Sequence, residues 1–174
     1  MRIQTYLILP ALLVCTSLQA QPLEFKGVPF GATKPEFQAA QPQFRCDMGT
    51  DCFATGNADI YAGVPASITA QFTDGKLSIV RIGFKSMFHT PILAALTAKY
   101  GEATTVKASE YRTQGGAVAT NDEREWRLAD GGVIVLNRFG SAITEGYALL
   151  MSAEGQKARA LGLQKLKDQA LKGI

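Results

Sequence analysis

Two cysteines, one histidine and several acidic side chains are the residues of this chain that could carry out chemistry. Cys46 and Cys52 flank a short segment rich in Gly and Asp. An even pair of cysteines in an exported chain predicts a structural disulfide. Their spacing is wider than that of a redox-active Cys-x-x-Cys pair, and His89 is the only histidine that could complete a zinc site. We therefore predict a disulfide and no metal or other cofactor.

A catalytic function has little support in the sequence. A Ser-His-Asp or Cys-His site would have to use His89, which lies beside a predicted helix start, where the helix dipole disfavours an imidazolium. The sequence contains no nucleophile elbow, phosphate-binding loop or dinucleotide-binding motif. Asp47, Asp51 and Asp59 around the cysteine segment leave a small carboxylate-dependent hydrolase as one alternative. A small-ligand carrier is the other alternative to a non-catalytic binding protein.

Aromatic and arginine residues cluster on three predicted strands and favour a binding surface. Arg124 and Trp126 share one face of a strand, Tyr111 and Arg112 end the preceding strand, and Arg138 lies at the end of the next. Trp, Tyr and Arg are the residue types that anchor protein interfaces. We therefore predict that these five residues bind another envelope protein. The alternative is that the single Trp belongs to the core.

The first twenty residues, Met1–Ala20, predict export from the cytoplasm. Arg2 is followed by the apolar run Tyr6–Val14, and small residues allow cleavage after Ala20. A lipoprotein signal at Cys15 is the alternative, but Val is a poor residue directly before a lipidated cysteine. We predict a periplasmic or secreted protein that begins near residue 21.

The charge of the chain argues against nucleic acid as a partner, and its basic excess lies near the end of the sequence. The whole chain contains 18 Lys and Arg residues and 15 Asp and Glu residues. This excess of positive charge is too small to indicate nucleic-acid binding. The basic excess lies in residues 154–174, which we predict to form an amphipathic helix that docks on the domain and does not insert into a membrane. Its predicted apolar stripe consists of Ala160, Leu163, Leu166, Ala170 and Ile174.

Residues 21–153 predict one α+β domain. Alternating strands joined by turns such as Asp74-Gly75 indicate a mainly antiparallel sheet of about seven or eight strands. Thr33 and Thr90 each precede a proline-containing helix start, so the chain has three helices when the last one is included. Both halves read as a helix followed by strands, which allows two tandem units. Such a layout is similar to that of secreted inhibitor proteins that grip a β-lactamase with a concave sheet, although layout alone supplies no function.

Overall fold

A computed structural model describes residues 21–46, 49, 51–54, 58–59, 64–112 and 115–172. The predicted signal peptide, Cys15 and Ile174 lie outside the described residues. The described helices are α1 (Lys34–Ala40), α2 (His89–Tyr100) and α3 (Ala153–Lys172). The strands are β1 (Glu24–Phe25), β2 (Val28–Pro29), β3 (Phe44–Arg45), β4 (Asp51–Ala54), β5 (Ala58–Asp59), β6 (Pro65–Thr73), β7 (Lys76–Lys85), β8 (Thr105–Arg112), β9 (Val118–Arg127), β10 (Val133–Asn137) and β11 (Glu145–Met151).

One large antiparallel sheet organises the fold and confirms the predicted α+β class. Its strands follow the order β3-β4-β6-β7-β11-β10-β9-β8, and β5 also pairs with β6. The order resolves into two units, α1 with β3–β7 and α2 with β8–β11, each with its strands paired largely in chain order. The last strands of the two units, β7 and β11, pair from Lys85 opposite Glu145 to Ile79 opposite Met151. The tandem arrangement allowed by the sequence is therefore present.

Two turns show how local sequence determines the backbone conformation. Asp74 and Gly75 both have positive φ, as the two-residue turn between β6 and β7 requires. Lys26 and Gly27 also have positive φ and split the predicted first strand into the β1–β2 hairpin. Asp and Gly signal such a turn clearly, whereas Lys at this position does not.

Strand alternation divides the sheet into two faces. Ile82, Trp126 and Leu150 point to one face, where they pack in a single core with side chains of α1 and α2. We call this the helix-covered face. We call the opposite side the open face, because α3 is the only described helix that contacts it. Ile79 and Leu149 form a smaller buried cluster there.

Helix α3 touches the sheet only near its start. Gly155 is buried, and a Cβ at this position would overlap the Ser78 carbonyl group and lie 2.9 Å from Ile79 Cγ1. From Arg159 to Leu171 every residue is exposed. Close packing of α3 on the sheet therefore lies in its first two turns, and the described residues of the predicted stripe are exposed. None of the described helices is both long and apolar enough to cross a membrane.

We expect Gly155→Ala to lower the melting temperature, because the added methyl group cannot fit between α3 and β7. Gly162→Ala is the matched control in the same helix, since no atom lies within 4 Å of the position that its Cβ would occupy. The control should raise helix content by circular dichroism, because Ala favours a helix interior over Gly by about 1 kcal/mol. Equal melting temperatures for the two variants would contradict the close packing of Gly155.

The predicted disulfide is confirmed between Cys46 and Cys52, whose Cα atoms are 4.3 Å apart. Cys52 is fully buried, so the bond ties the start of β4 to the end of β3 inside the core. Closing this short loop contributes about 2 kcal/mol in the chain-entropy treatment. We expect the Cys46→Ala, Cys52→Ala double variant to lose at least that much unfolding free energy in urea titrations. Reductant should destabilise only the parent chain, and a parent chain insensitive to reductant would contradict this role.

Candidate functional site

Trp126, the predicted centre of the binding patch, lies in the core. Its side chain is 1% exposed, and its Nε1 donates a 2.9 Å hydrogen bond to the carbonyl oxygen of Gly101. Trp126 pairs with Ile134, and both side chains point to the helix-covered face. The placement of Trp126 on a binding surface is therefore corrected: the face of β9 that carries Trp126 packs in one core with side chains of α2.

Tyr111 and Arg112, the predicted patch residues on β8, point to opposite faces. Tyr111 packs against Phe139 at a ring distance of 5.6 Å, and its hydroxyl donates to the Ser141 carbonyl oxygen. Arg112 is exposed and pairs with Glu110 at 3.0 Å. Because neighbouring residues of a strand alternate, no single surface of the sheet contains both.

Arg124 and Arg138 instead approach His89, and we call His89, Asp122, Arg124 and Arg138 the histidine cluster. Arg124 holds Asp122 through two nitrogens, at 3.1 Å. His89 is 6% exposed, and its Nε2 lies 3.9 Å from Asp122 Oδ2 without a hydrogen-bond partner among the described residues. Burial lowers the pKa of His89, and the charges of Arg138 and Arg124 lower it further against the attraction of Asp122. The imidazole is therefore neutral at neutral pH.

The open face carries a polar network centred on Asn137. The Nδ2 of Asn137 donates to Glu123 at 2.9 Å and to the Tyr147 hydroxyl at 3.0 Å, while Asn121 donates to Asn137 Oδ1. Asn137 is buried, yet each of its side-chain polar atoms has a partner. The network fixes the Tyr147 ring at the boundary between the two units, since β11 is the strand that joins them.

A groove of about 460 Å³ lies on the open face at this boundary. Gly83 is paired with Ser67 on one side and Tyr147 on the other, and a Cβ at Gly83 would lie 2.7 Å from Ser67 Oγ, so only glycine lets the serine side chain approach this closely. The Arg81 guanidinium lies 5.4 Å from the centre of the Tyr147 ring and lines the groove. Sequence reasoning missed these residues. The available signal was Arg81, a charge inside an otherwise apolar strand.

Two further grooves border the first turns of α3. One, of about 320 Å³, lies beside Arg81 and also touches Asp51 and Arg159. The other, of about 620 Å³, lies between α3 and the β6–β7 turn and includes Leu77 and Leu161. Asp51 accepts a hydrogen bond from Gln71, whereas Asp47 lies outside the described residues.

Two observations on the described residues bear on metal and acid–base chemistry. They include no group of three or more His, Cys, Asp or Glu side chains placed to hold a metal ion. Hydrogen bonds from Thr33 lower the pKa of Glu36, and hydrogen bonds likewise lower the pKa of Glu154. A carboxylic acid that donates a proton near neutral pH needs a raised pKa instead.

We expect the histidine cluster to make stability depend on pH. Folding lowers the pKa of His89 from about 6.5. Between the two pKa values, His89 is therefore protonated in the unfolded chain and neutral in the folded chain. Stability present above pH 6.5 is therefore lost as the pH falls from there toward the folded pKa. His89→Gln should reduce the difference in unfolding free energy between about pH 7 and about pH 5. An unchanged difference in denaturant titrations would contradict this assignment.

Comparisons of this chain with protein-family models, with curated proteins and with solved structures found no match.

Proposed function

We propose that this chain is an exported, non-catalytic binding protein of the bacterial cell envelope, and that its partner is another envelope protein. The observation that carries the proposal is the groove on the open face, where the two units meet. Both units contribute to it, Ser67 and Arg81 from the first and Tyr147 from the second. A partner that occupies the groove would therefore contact both halves of the fold at once.

The side chains of the groove suit protein recognition. Arg and Tyr are enriched among the residues that dominate interface energies. Arg81 stacks on Tyr147, and Tyr147 is held by Asn137, so both are ordered before a partner arrives. Preordered side chains lose less conformational entropy on binding, which increases affinity. The disulfide supports the exported location, since such bonds persist in oxidising compartments.

The small-ligand alternative would use the groove between α3 and the β6–β7 turn. Its volume of about 620 Å³ is in the range of ligand sites, and Leu161 supplies apolar surface. Leu161 is 64% exposed, however, so this groove is bounded on one side by a helix that few contacts hold in place. The groove between the two units has sheet on its floor and is the better supported surface.

Steric blocking of the groove tests this function. Ser67 lies on β6 and lines the groove, so Ser67→Tyr would place a ring beside Gly83 without changing charge. Ser109→Tyr is the matched control, since Ser109 is exposed but lies on the edge strand β8. We expect affinity capture from envelope extract, with the chain from Gln21 to Ile174, to retain a protein with the parent and with the control. Capture should be lost with Ser67→Tyr.

Two results would contradict the proposal. Retention of the same protein by Ser67→Tyr would show that the groove is not the contact surface. Retention of no protein by any of the three chains would favour a small ligand over a protein partner. Equal melting temperatures of parent and variants would establish that folding is intact.

A further inference from the structure

Arg81 differs from three other basic side chains on the open face of the sheet. Lys85 pairs with Glu145 at 3.7 Å, Lys107 with Glu123 at 4.0 Å, and Arg127 with Glu125 at 2.7 Å. Among the described residues, no acidic side chain forms an ion pair with Arg81, which instead contacts the Tyr147 ring. Among the described residues, these three cations thus have acidic partners, whereas the Arg81 guanidinium contacts an aromatic ring at the groove.

The neighbours of Arg81 explain why no acid of the described part of the chain reaches it. Its cross-strand partners are Thr69 on β6 and Leu149 on β11, neither of which carries charge. Glu145 is engaged by Lys85, and Asp51 accepts from Gln71. Arg159 lines the groove on the other side of Arg81 and likewise has no ion pair with a described residue. This second groove therefore carries the guanidinium groups of Arg81 and Arg159 against the single carboxylate of Asp51, an excess of one positive charge.

We infer that the protein partner places a carboxylate of an acidic segment against Arg81, with Arg159 nearby as a second cation. This inference rests on the proposed function, because it describes the chemistry of the same surface. A guanidinium offers paired N–H donors that match the two oxygens of a carboxylate. The Arg81 guanidinium carbon lies 5.4 Å from the centre of the Tyr147 ring, a cation–π contact, and no described residue accepts a hydrogen bond from the guanidinium.

Phe53 indicates what else the acidic segment carries. It is 51% exposed and lies on the same cross-strand row as Arg81, with Thr69 between them. Two strand spacings separate β4 from β7, a distance of about 10 Å that about three residues of extended chain would span. A segment with an apolar side chain about three residues from its acid could contact both. A phosphate-bearing lipid surface would also suit an arginine beside an exposed aromatic ring, but Arg81 lines a groove, which fits a chain segment better than a flat bilayer.

A pair of synthetic peptides tests this inference. One peptide carries glutamate and phenylalanine three residues apart, and the other replaces each glutamate with glutamine. We expect fluorescence anisotropy with the chain from Gln21 to Ile174 to show about tenfold tighter binding of the glutamate peptide, the range for a charge-assisted hydrogen bond. Arg81→Gln should abolish that preference, and Arg81→Lys should restore part of it. Added salt should weaken binding of the glutamate peptide.

Arg127→Gln is the matched control, because Arg127 is exposed and already paired with Glu125. It should leave both affinities unchanged. Equal binding of the two peptides, no binding of either, or an unchanged preference in Arg81→Gln would each overturn the inference. Sedimentation with phosphatidylglycerol vesicles tests whether lipid binds instead. Vesicle binding without peptide binding would overturn the acidic-segment inference in favour of a lipid surface. If capture remains sensitive to Ser67→Tyr while the peptides fail, only the acidic-segment inference is lost.

Discussion

The pairing of β7 with β11 is the interaction on which the rest of the structure depends. It joins the two helix-and-strand units edge to edge, so that their strands become one sheet. Because both strands are central, Val80 and Leu150 are fully buried and share one core. Each unit alone would expose this edge and its unpaired backbone groups, which are costly to leave without partners. The pairing of β7 with β11 therefore stabilises the fold, and the groove on the open face results from this pairing.

The β1–β2 hairpin reinforces this joint from the helix-covered side. Leu23 donates its backbone N–H to Asp130 of the second unit, and Lys99 of α2 pairs with Glu24 at 2.7 Å. The backbone between Gly31 and Ala32 bonds to Leu77 of the first unit. A short segment at the start of the described chain thus connects both units. These contacts favour a fixed relation between them, which a groove assembled from both units requires.

The two faces of the sheet use polar residues differently. On the helix-covered side, the histidine cluster holds His89 Nε2, which forms no hydrogen bond with a described residue. This nitrogen lies near the carboxylate of Asp122, which Arg124 already binds. Because burial lowers the pKa of His89, the cluster makes stability sensitive to pH. On the open face, Asn137 satisfies its neighbours and orients Tyr147. The available guanidinium of Arg81 therefore belongs to an ordered surface, which is the property that recognition needs.

Local patterns in the sequence determined the elements: the Thr33–Glu36 capping box, the Asp74-Gly75 turn, the antiparallel class and the Cys46–Cys52 bond all follow from short-range chemistry. The α3 helix was also predictable, but the extent of its docking was not, because that depends on the single close approach at Gly155. Alternation placed Arg124 and Trp126 on one face without saying which face is buried. Only the tertiary structure decided that Trp126 lies under α2 and that Arg81 meets Tyr147, because the pairing of β7 with β11 joins residues far apart in the chain.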